Sequence, residues 1–256
     1  MTRCALFPLL LSGALGLLRP TLRAQVTESP HTVAPGRVSL EVDGVRFTVG
    51  HTDAEGGTVD ALAVGSTLLT TGLTRSLDLQ VGVDLFLRQT VSLGGRRDSD
   101  AGFGDLSFRT KWTFWRADSG LAALAFIPYV RLPTSSAGLG SERVDGGLIL
   151  PWASVGPAGI VTGAMLHWDS ASTADGRRHR WSGAAFARRD LLRLLSAYAE
   201  VTLDVESGTW STREGTLGAG VLLRPWGGLE VDYQLQRGLN RLAPDWIHTL
   251  RFNWEW

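Results

Sequence analysis

The sequence predicts an all-β protein: a transmembrane, antiparallel, up-and-down β-barrel of about twelve strands that follows an N-terminal signal peptide. The prediction depends on three observations. Residues 76–88 place leucine and valine on one face of an extended strand and polar or charged groups on the other, because side chains alternate across a strand. The same two-faced pattern recurs along the whole chain. Beyond the N-terminus, no apolar run is long enough to form a membrane-spanning helix.

The first 24 residues have the anatomy of a secretory signal peptide, with Arg3 ahead of an apolar stretch and a cleavage site after Ala24. Cleavage there removes Cys4, the one cysteine of the chain, so we expect a mature protein without thiols or disulfides. Residues 25–36 then form a short periplasmic leader, and residues 37–256 form the barrel. Nothing in the leader resembles a plug, so we expect any gating to come from loops.

Twelve segments of the remaining chain show strand alternation, and each is about as long as a tilted membrane strand requires. They span residues 37–49, 58–72, 76–88, 103–115, 121–132, 143–155, 158–169, 180–188, 194–206, 214–225, 229–236 and 246–256. In the first, the alternation changes phase at Asp43-Gly44, which predicts a bulge. The lipid face of the third is expected to hold all six of its aliphatic residues, namely Leu77, Leu79, Val81, Val83, Leu85 and Leu87.

The connections alternate between long, polar loops, such as residues 92–102, and short turns. Outer-membrane barrels show this asymmetry, with longer loops outside and short turns in the periplasm. An even strand number then places both termini in the periplasm.

Most of the ten tryptophans lie near predicted strand ends, where indole anchors a barrel at both membrane interfaces. The last strand alternates to a terminal aromatic through Phe252, Trp254 and Trp256. Such an ending resembles the signal that the outer-membrane assembly machinery reads. We therefore expect the outer membrane of a Gram-negative-type bacterium, with its lipid and assembly machinery as partners. The 25 basic and 25 acidic residues give no reason to expect nucleic acid.

Five stretches resemble the outer-membrane β-barrel family named after a meta-pathway of phenol degradation, whose members are often labelled transporters. They are residues 72–82, 102–112, 126–134, 229–233 and 238–245. The resemblance implies a barrel that passes small, aromatic or hydrophobic compounds. Pro133-Thr134-Ser135 departs from the Pro-Thr-Gly often found after the returning strand, which bears on the conformation of that loop.

The polar strand faces are too densely charged to face lipid, where one Arg or Lys costs roughly 2–4 kcal/mol at the midplane. We expect thirteen of these residues to line the lumen: Asp78, Asp84, Arg88, Asp105, Arg109, Lys111, Arg131, Glu200, Asp204, Arg224, Glu230, Asp232 and Arg251. A channel for small solutes is the leading hypothesis. The alternative is a structural barrel that conducts nothing because its interior charges form a salt-bridge network.

Residues 92–102 are the candidate gating loop, since folding inward would bring Arg96, Arg97, Asp98 and Asp100 into the barrel mouth. A plain solvated loop is the other interpretation, because charge runs usually mark exposed tips.

An enzyme is the third possibility, since some barrel lipases carry Ser and His on their outer surface. His167, Asp169 and Ser170 are the candidates, but nothing fixes a base beside a nucleophile, and we expect His167 to be a histidine at the membrane interface. Without a base beside a nucleophile, no enzymatic activity is expected. The remaining histidines lack metal-ligand spacing, so no metal or cofactor is expected either. A soluble β-sandwich would need a polar exterior around an apolar core, and the charged face here is as long as the apolar one.

Overall fold

Thirteen antiparallel strands close into one barrel in the computed structural model, which describes residues 27–52, 56–173 and 176–256. The strands are β1 (Val38–Thr52), β2 (Thr58–Gly72), β3 (Leu77–Leu93), β4 (Arg96–Gly102), β5 (Leu106–Arg116), β6 (Ala122–Leu132), β7 (Asp145–Val155), β8 (Val161–Thr173), β9 (Gly176–Leu192), β10 (Leu195–Glu206), β11 (Thr209–Trp226), β12 (Leu229–Gly238) and β13 (Trp246–Glu255). β1 pairs with both β2 and β13, which closes the ring. No helix in the described ranges is long and apolar enough to cross a membrane.

The strands β4 and β5 share one position in the barrel wall. The first half of β3 pairs with β5, and its second half pairs with β4. Twelve strand positions therefore surround the barrel axis, and the predicted antiparallel barrel is confirmed. The predicted signal peptide, residues 1–24, lies outside the described residues.

The outer surface is apolar, and the charged faces of the strands point inward. On β3, Val81 is 38% exposed whereas Asp78 is fully buried. Nine tryptophans are exposed on the outside, and the tenth, Trp168, stacks on His179 with ring centres 5.5 Å apart. Apolar side chains outside and charged ones inside are the arrangement of a membrane barrel.

One expectation for β3 was wrong. Leu85 and Phe86 are both exposed, and Leu87 is buried and faces the cavity instead of the lipid. Across from Leu85 on β2, Gly65 adopts a left-handed φ of +70°, which a glycine accommodates without strain. The predicted bulge in β1 is confirmed by a register shift between Asp43 and Val45. The alternation of all three strands thus changes phase along one line across the wall.

Several predicted loops are strands. β3 and β4 form a hairpin through most of residues 92–102, β9 begins at Gly176, and β11 begins at Thr209. Two-faced alternation marks a strand only where one side meets lipid. Beyond the membrane the ladder hydrogen bonds continue, but both faces are polar, so the pattern that we used to find strands disappears.

Both ends of the barrel domain lie at the same end of the wall. Val38 N donates to Trp256 O at 3.1 Å, and Trp256 N donates to Val38 O at 3.0 Å. All turns at this end are short, including the 3₁₀ turn Pro157–Gly159, and we call it the short-turn end. The 133–144 and 239–245 loops lie at the other end, together with the tight β3–β4 and β10–β11 turns, and we call it the loop end.

Candidate functional site: the barrel lumen

The lumen contains a cavity of about 710 Å³ whose walls are largely polar and charged. Its lining comes from β1–β3 and from β5–β13, together with residues that precede β1. A single closed wall therefore surrounds one connected polar space.

Residues 27–33, which we call the N-terminal segment, run into this space. Thr27 is 4% exposed and reaches Glu200 on the far wall. Its backbone N–H and its hydroxyl both donate to Glu200 Oε1, at 2.9 and 2.7 Å. Next to it, the Glu28 carboxylate accepts from Arg109 Nη1 at 2.8 Å. The tip of the segment is thus held from two opposite sides of the barrel.

The rest of the segment descends along β3 and β5. Lys111 Nζ donates to His31 O at 3.3 Å, and Thr113 Oγ1 donates to Pro30 O at 2.5 Å. Val33 N donates to Asp78 Oδ2 at 3.2 Å. The expectation that no N-terminal residues form a plug was therefore wrong. Buried charges need hydrogen-bonding partners, and the backbone of this segment supplies them.

Twelve of the thirteen predicted lumen residues lie on the inward face of the wall. Eight of these line the cavity: Asp84, Asp105, Arg109, Lys111, Arg131, Glu230, Asp232 and Arg251. Asp78 and Glu200 are almost completely buried under the N-terminal segment. Asp204 accepts from Ser182, and Arg224 bonds Glu230 at 2.9 Å near the barrel end. The prediction for Arg88 was wrong. The phase change on β3 turns Leu87 and Gln89 inward, so the exposed Arg88 side chain lies on the opposite face, where its Nε donates to Ser99 at 3.1 Å.

A charge network that the sequence analysis missed crosses the seam where β1 meets β13. Asp43 accepts from Arg251 Nε and from Arg46 Nη2, both at 2.8 Å. Arg251 also bridges Glu41 at 3.0 Å. Arg46 is only 2% exposed, and Asp43 gives its buried charge a carboxylate partner. The signal was present in the predicted bulge, because a phase change there turns both Asp43 and Arg46 inward.

At the loop end, Asp105 fixes the 133–144 loop. Its carboxylate accepts from the backbone N–H groups of Thr134, Ser135 and Ser141, at 3.2, 3.0 and 2.5 Å. Leu139, Gly140 and Ser141 then border the cavity. This loop, rather than residues 92–102, folds toward the mouth.

The predicted gating residues lie elsewhere. Arg96, Arg97 and Asp98 are exposed on the β3–β4 hairpin, and Asp100 beside them is also on β4. None of them borders the cavity. The hairpin prolongs the wall outward and does not fold into the mouth, so the arrangement is that of the solvated-loop interpretation.

His167 is buried inside the barrel at 3% exposure. The expectation that it lies at the membrane interface was therefore wrong. Tyr129 Oη lies 2.8 Å from His167 Nε2 and also donates to Asp169. Arg131 Nη2 is 3.9 Å from Asp169. Ser170, the third residue of the weighed catalytic set, accepts instead from Arg177 Nη1 at 3.3 Å. The inward turn of His167 and Asp169 separates them from the lipid surface on which a barrel lipase acts.

One side of the cavity near the short-turn end is apolar. Val155, Val161, Phe186 and Leu222 border it there, together with Arg188. Within the described residues, no group of three or more His, Cys, Asp or Glu is arranged to hold a metal ion.

The sequence matches, over residues 21–254, the family described as "Putative MetA-pathway of phenol degradation". The chain belongs to this family. The family suggested by the five resembling stretches is therefore confirmed. No match was found among curated proteins.

Solved outer-membrane barrels share the fold of this family member. The COG4313 outer membrane channel from Pseudomonas putida F1 has 14% identity and a TM-score of 0.65, over 92% of this chain and 100% of that chain. The translocator domain of autotransporter NalP from Neisseria meningitidis has 10% identity and a TM-score of 0.52, over 86% of this chain and 87% of that one. The KdgM porin has 8% identity and a TM-score of 0.51, over 84% and 98%. At these identities the similarity shows the fold alone.

Proposed function

We propose that this protein is an outer-membrane channel that passes small solutes through its lumen, including compounds of about the size of phenol. The polar cavity of about 710 Å³ inside a closed wall is the observation that carries the proposal. A barrel with a purely structural role has no need for a space of this size lined by charges that cost free energy to desolvate.

The shape of the lining suits small aromatic compounds. An apolar strip that includes Val161, Phe186 and Leu222 faces the cavity, and polar groups cover the rest. An aromatic ring could lie against the strip while its hydroxyl meets the polar side. The family description supports the same class of solute.

A structural barrel that conducts nothing is the second candidate, and the N-terminal segment favours it. Pro30 is almost completely buried, and Glu28 is ion-paired with Arg109 at 2.8 Å. In the channel proposal, the N-terminal segment is displaced during passage. The contacts that hold it include hydrogen bonds, an ion pair and the packing of Pro30, all of them non-covalent.

Planar-bilayer recordings and liposome swelling distinguish the two candidates. The mature protein is compared with a variant that lacks residues 25–33, and heat-modifiable migration shows that each has folded. The channel proposal expects discrete conductance in both proteins, larger in the deletion variant, and faster phenol entry into liposomes that contain the deletion variant. If neither protein shows conductance or solute flux, the structural barrel is the correct candidate.

The proposed orientation places both termini and the short turns in the periplasm and the loop end outside the cell. Ser207 at the loop end and Asp118 at the short-turn end are both exposed, so each can be replaced by cysteine in turn. A membrane-impermeant maleimide added to intact cells should label Ser207→Cys and spare Asp118→Cys. The opposite labelling would invert the orientation.

The proposed assembly signal is the last strand, where Phe252, Trp254 and Trp256 are all exposed on the outside. Replacing all three by serine should reduce the folded, heat-modifiable protein in outer-membrane fractions. Unchanged amounts would refute this role.

A further inference from the structure

Two arginines at the loop end lie on the outer surface, each against a tryptophan. The Cζ atom of Arg213 is 5.9 Å from the ring centre of Trp210, and that of Arg237 is 5.3 Å from the ring centre of Trp246. Both arginines are exposed. Stacking on indole positions a guanidinium without neutralising its charge.

A third arginine completes the group. Arg241 is exposed in the loop between β12 and β13. That loop is fixed beside β11, because Leu239 N donates to Gly215 O at 2.8 Å and Asn240 Nδ2 donates to Arg213 O at 3.1 Å. We call Arg213, Arg237 and Arg241 the arginine patch.

No ion pair within the described part of the chain neutralises the patch, and none of its members lines the cavity. Of the nearby carboxylates, Glu214 is paired with the inward-facing Asp204 in the β10–β11 ladder and so occupies the opposite face of β11 from Arg213. Asp245 contacts Gly50 of β1. Arginines on the inward face differ from the patch in having carboxylate partners. Arg251, for example, bridges Glu41 and Asp43.

The patch adjoins the apolar outer wall. Leu217 is paired with Arg237 in the ladder, and Leu217 and Val221 are 53% and 45% exposed. Successive outward positions of a strand are about 6–7 Å apart. Three guanidinium groups that form no ion pair within the described residues therefore lie at the edge of the apolar outer wall, with Arg237 directly beside Leu217.

We propose that the arginine patch binds the phosphate groups of lipid A in the outer leaflet, while Leu217 and Val221 contact its acyl chains. The guanidinium fork matches phosphate oxygens in a bidentate geometry, and such charge-assisted hydrogen bonds are among the strongest in proteins. The placement in the outer leaflet depends on the orientation proposed above. The binding itself does not depend on solute passage.

The test is native mass spectrometry of the mature, delipidated protein in detergent, titrated with Kdo₂-lipid A. The variant carries Arg213→Gln, Arg237→Gln and Arg241→Gln. The control carries Arg189→Gln and Arg193→Gln, which are exposed at the other end of the wall. We expect a one-to-one adduct with the wild type, at least tenfold weaker binding by the triple variant, and wild-type affinity in the control.

Three results would overturn the proposal. They are equal binding by the wild type and the triple variant, equal binding of dephosphorylated lipid A, and complete competition by equimolar phosphatidylglycerol. The last would show that the patch recognises any lipid phosphate. Arg237→Gln alone, expected to weaken binding about threefold, provides a second test if the triple variant folds poorly. Conductance should be unchanged in every variant, which separates this test from that of the channel.

Discussion

Glu200 holds the tip of the N-terminal segment, and Glu200→Ala should release it. The carboxylate is 1% exposed and accepts two hydrogen bonds from Thr27, at 2.9 and 2.7 Å. Its other oxygen accepts from Gln234 Nε2 at 2.7 Å. Alanine removes all three acceptor interactions but leaves the wall intact.

The size of the effect follows from the two bonds to Thr27. A hydrogen bond to a charged group contributes about 1.5–3 kcal/mol. Water can enter the cavity and replace part of the loss, so the lower value applies to each bond, about 3 kcal/mol in total. Since about 1.4 kcal/mol corresponds to a factor of ten, the displaced population should rise roughly 100-fold.

The displaced population can be measured in a Pro30→Cys background. Pro30 is almost completely buried, while its carbonyl, which accepts from Thr113, is retained in the substitution. Cys4 is the only native cysteine, and it lies in the predicted signal peptide. When opening is fast, the rate of thiol modification by a charged methanethiosulfonate reagent tracks the displaced fraction.

Glu230→Ala is the matched control, because Glu230 also faces the cavity but bonds Arg224 rather than the N-terminal segment. We expect modification about 100-fold faster with Glu200→Ala and unchanged with Glu230→Ala. A less than threefold change with Glu200→Ala, or the same acceleration in both variants, would refute the assignment of Glu200 as the anchor.

Three further predictions concern the wall and the mouth. Asp43→Ala removes the carboxylate that accepts from the buried Arg46 and from Arg251, and it should lower the free energy of unfolding by about 3–5 kcal/mol. Glu255→Ala breaks an exposed pair 3.7 Å apart and should cost under about 1 kcal/mol. Urea titration in lipid vesicles measures both. Asp105→Asn turns one carboxylate oxygen into a donor facing backbone N–H groups, so it should loosen the 133–144 loop and increase the current noise of single channels. Equal noise in both proteins would contradict that role. Val201→Arg, on the outer face of β10, should reduce stability by about 2–4 kcal/mol in the same titration, and Val201→Leu should be neutral.

Most of the wall could be predicted from the sequence because lipid imposes a strict rule on it. Wherever a strand crosses the membrane, every second side chain must be apolar, and the segments from β1 to β13 show this. The rule fails where a backbone irregularity resets the phase, as between Leu85 and Leu87. It also fails beyond the membrane, where the β3–β4 hairpin has no lipid face to mark it. Twelve of the thirteen predicted lumen residues followed from the same rule, but their partners did not.

The N-terminal segment could not be predicted because its position depends on residues far away in the sequence. Thr27 is ordinary in composition, and its partner Glu200 lies 173 residues away. A carboxylate with 1% exposure would be severely penalised without donors, and Gln234 of β12 donates to it from the wall. The N-terminal segment adds two further donors through Thr27, and it also supplies a donor to Asp78 through Val33. The interior carboxylates and the N-terminal segment are therefore complementary. If the segment leaves the lumen, water must take its place. An interior that can exchange protein donors for water can also admit solutes. We therefore expect the N-terminal segment, which fills part of the lumen, to be the part that moves when the channel opens.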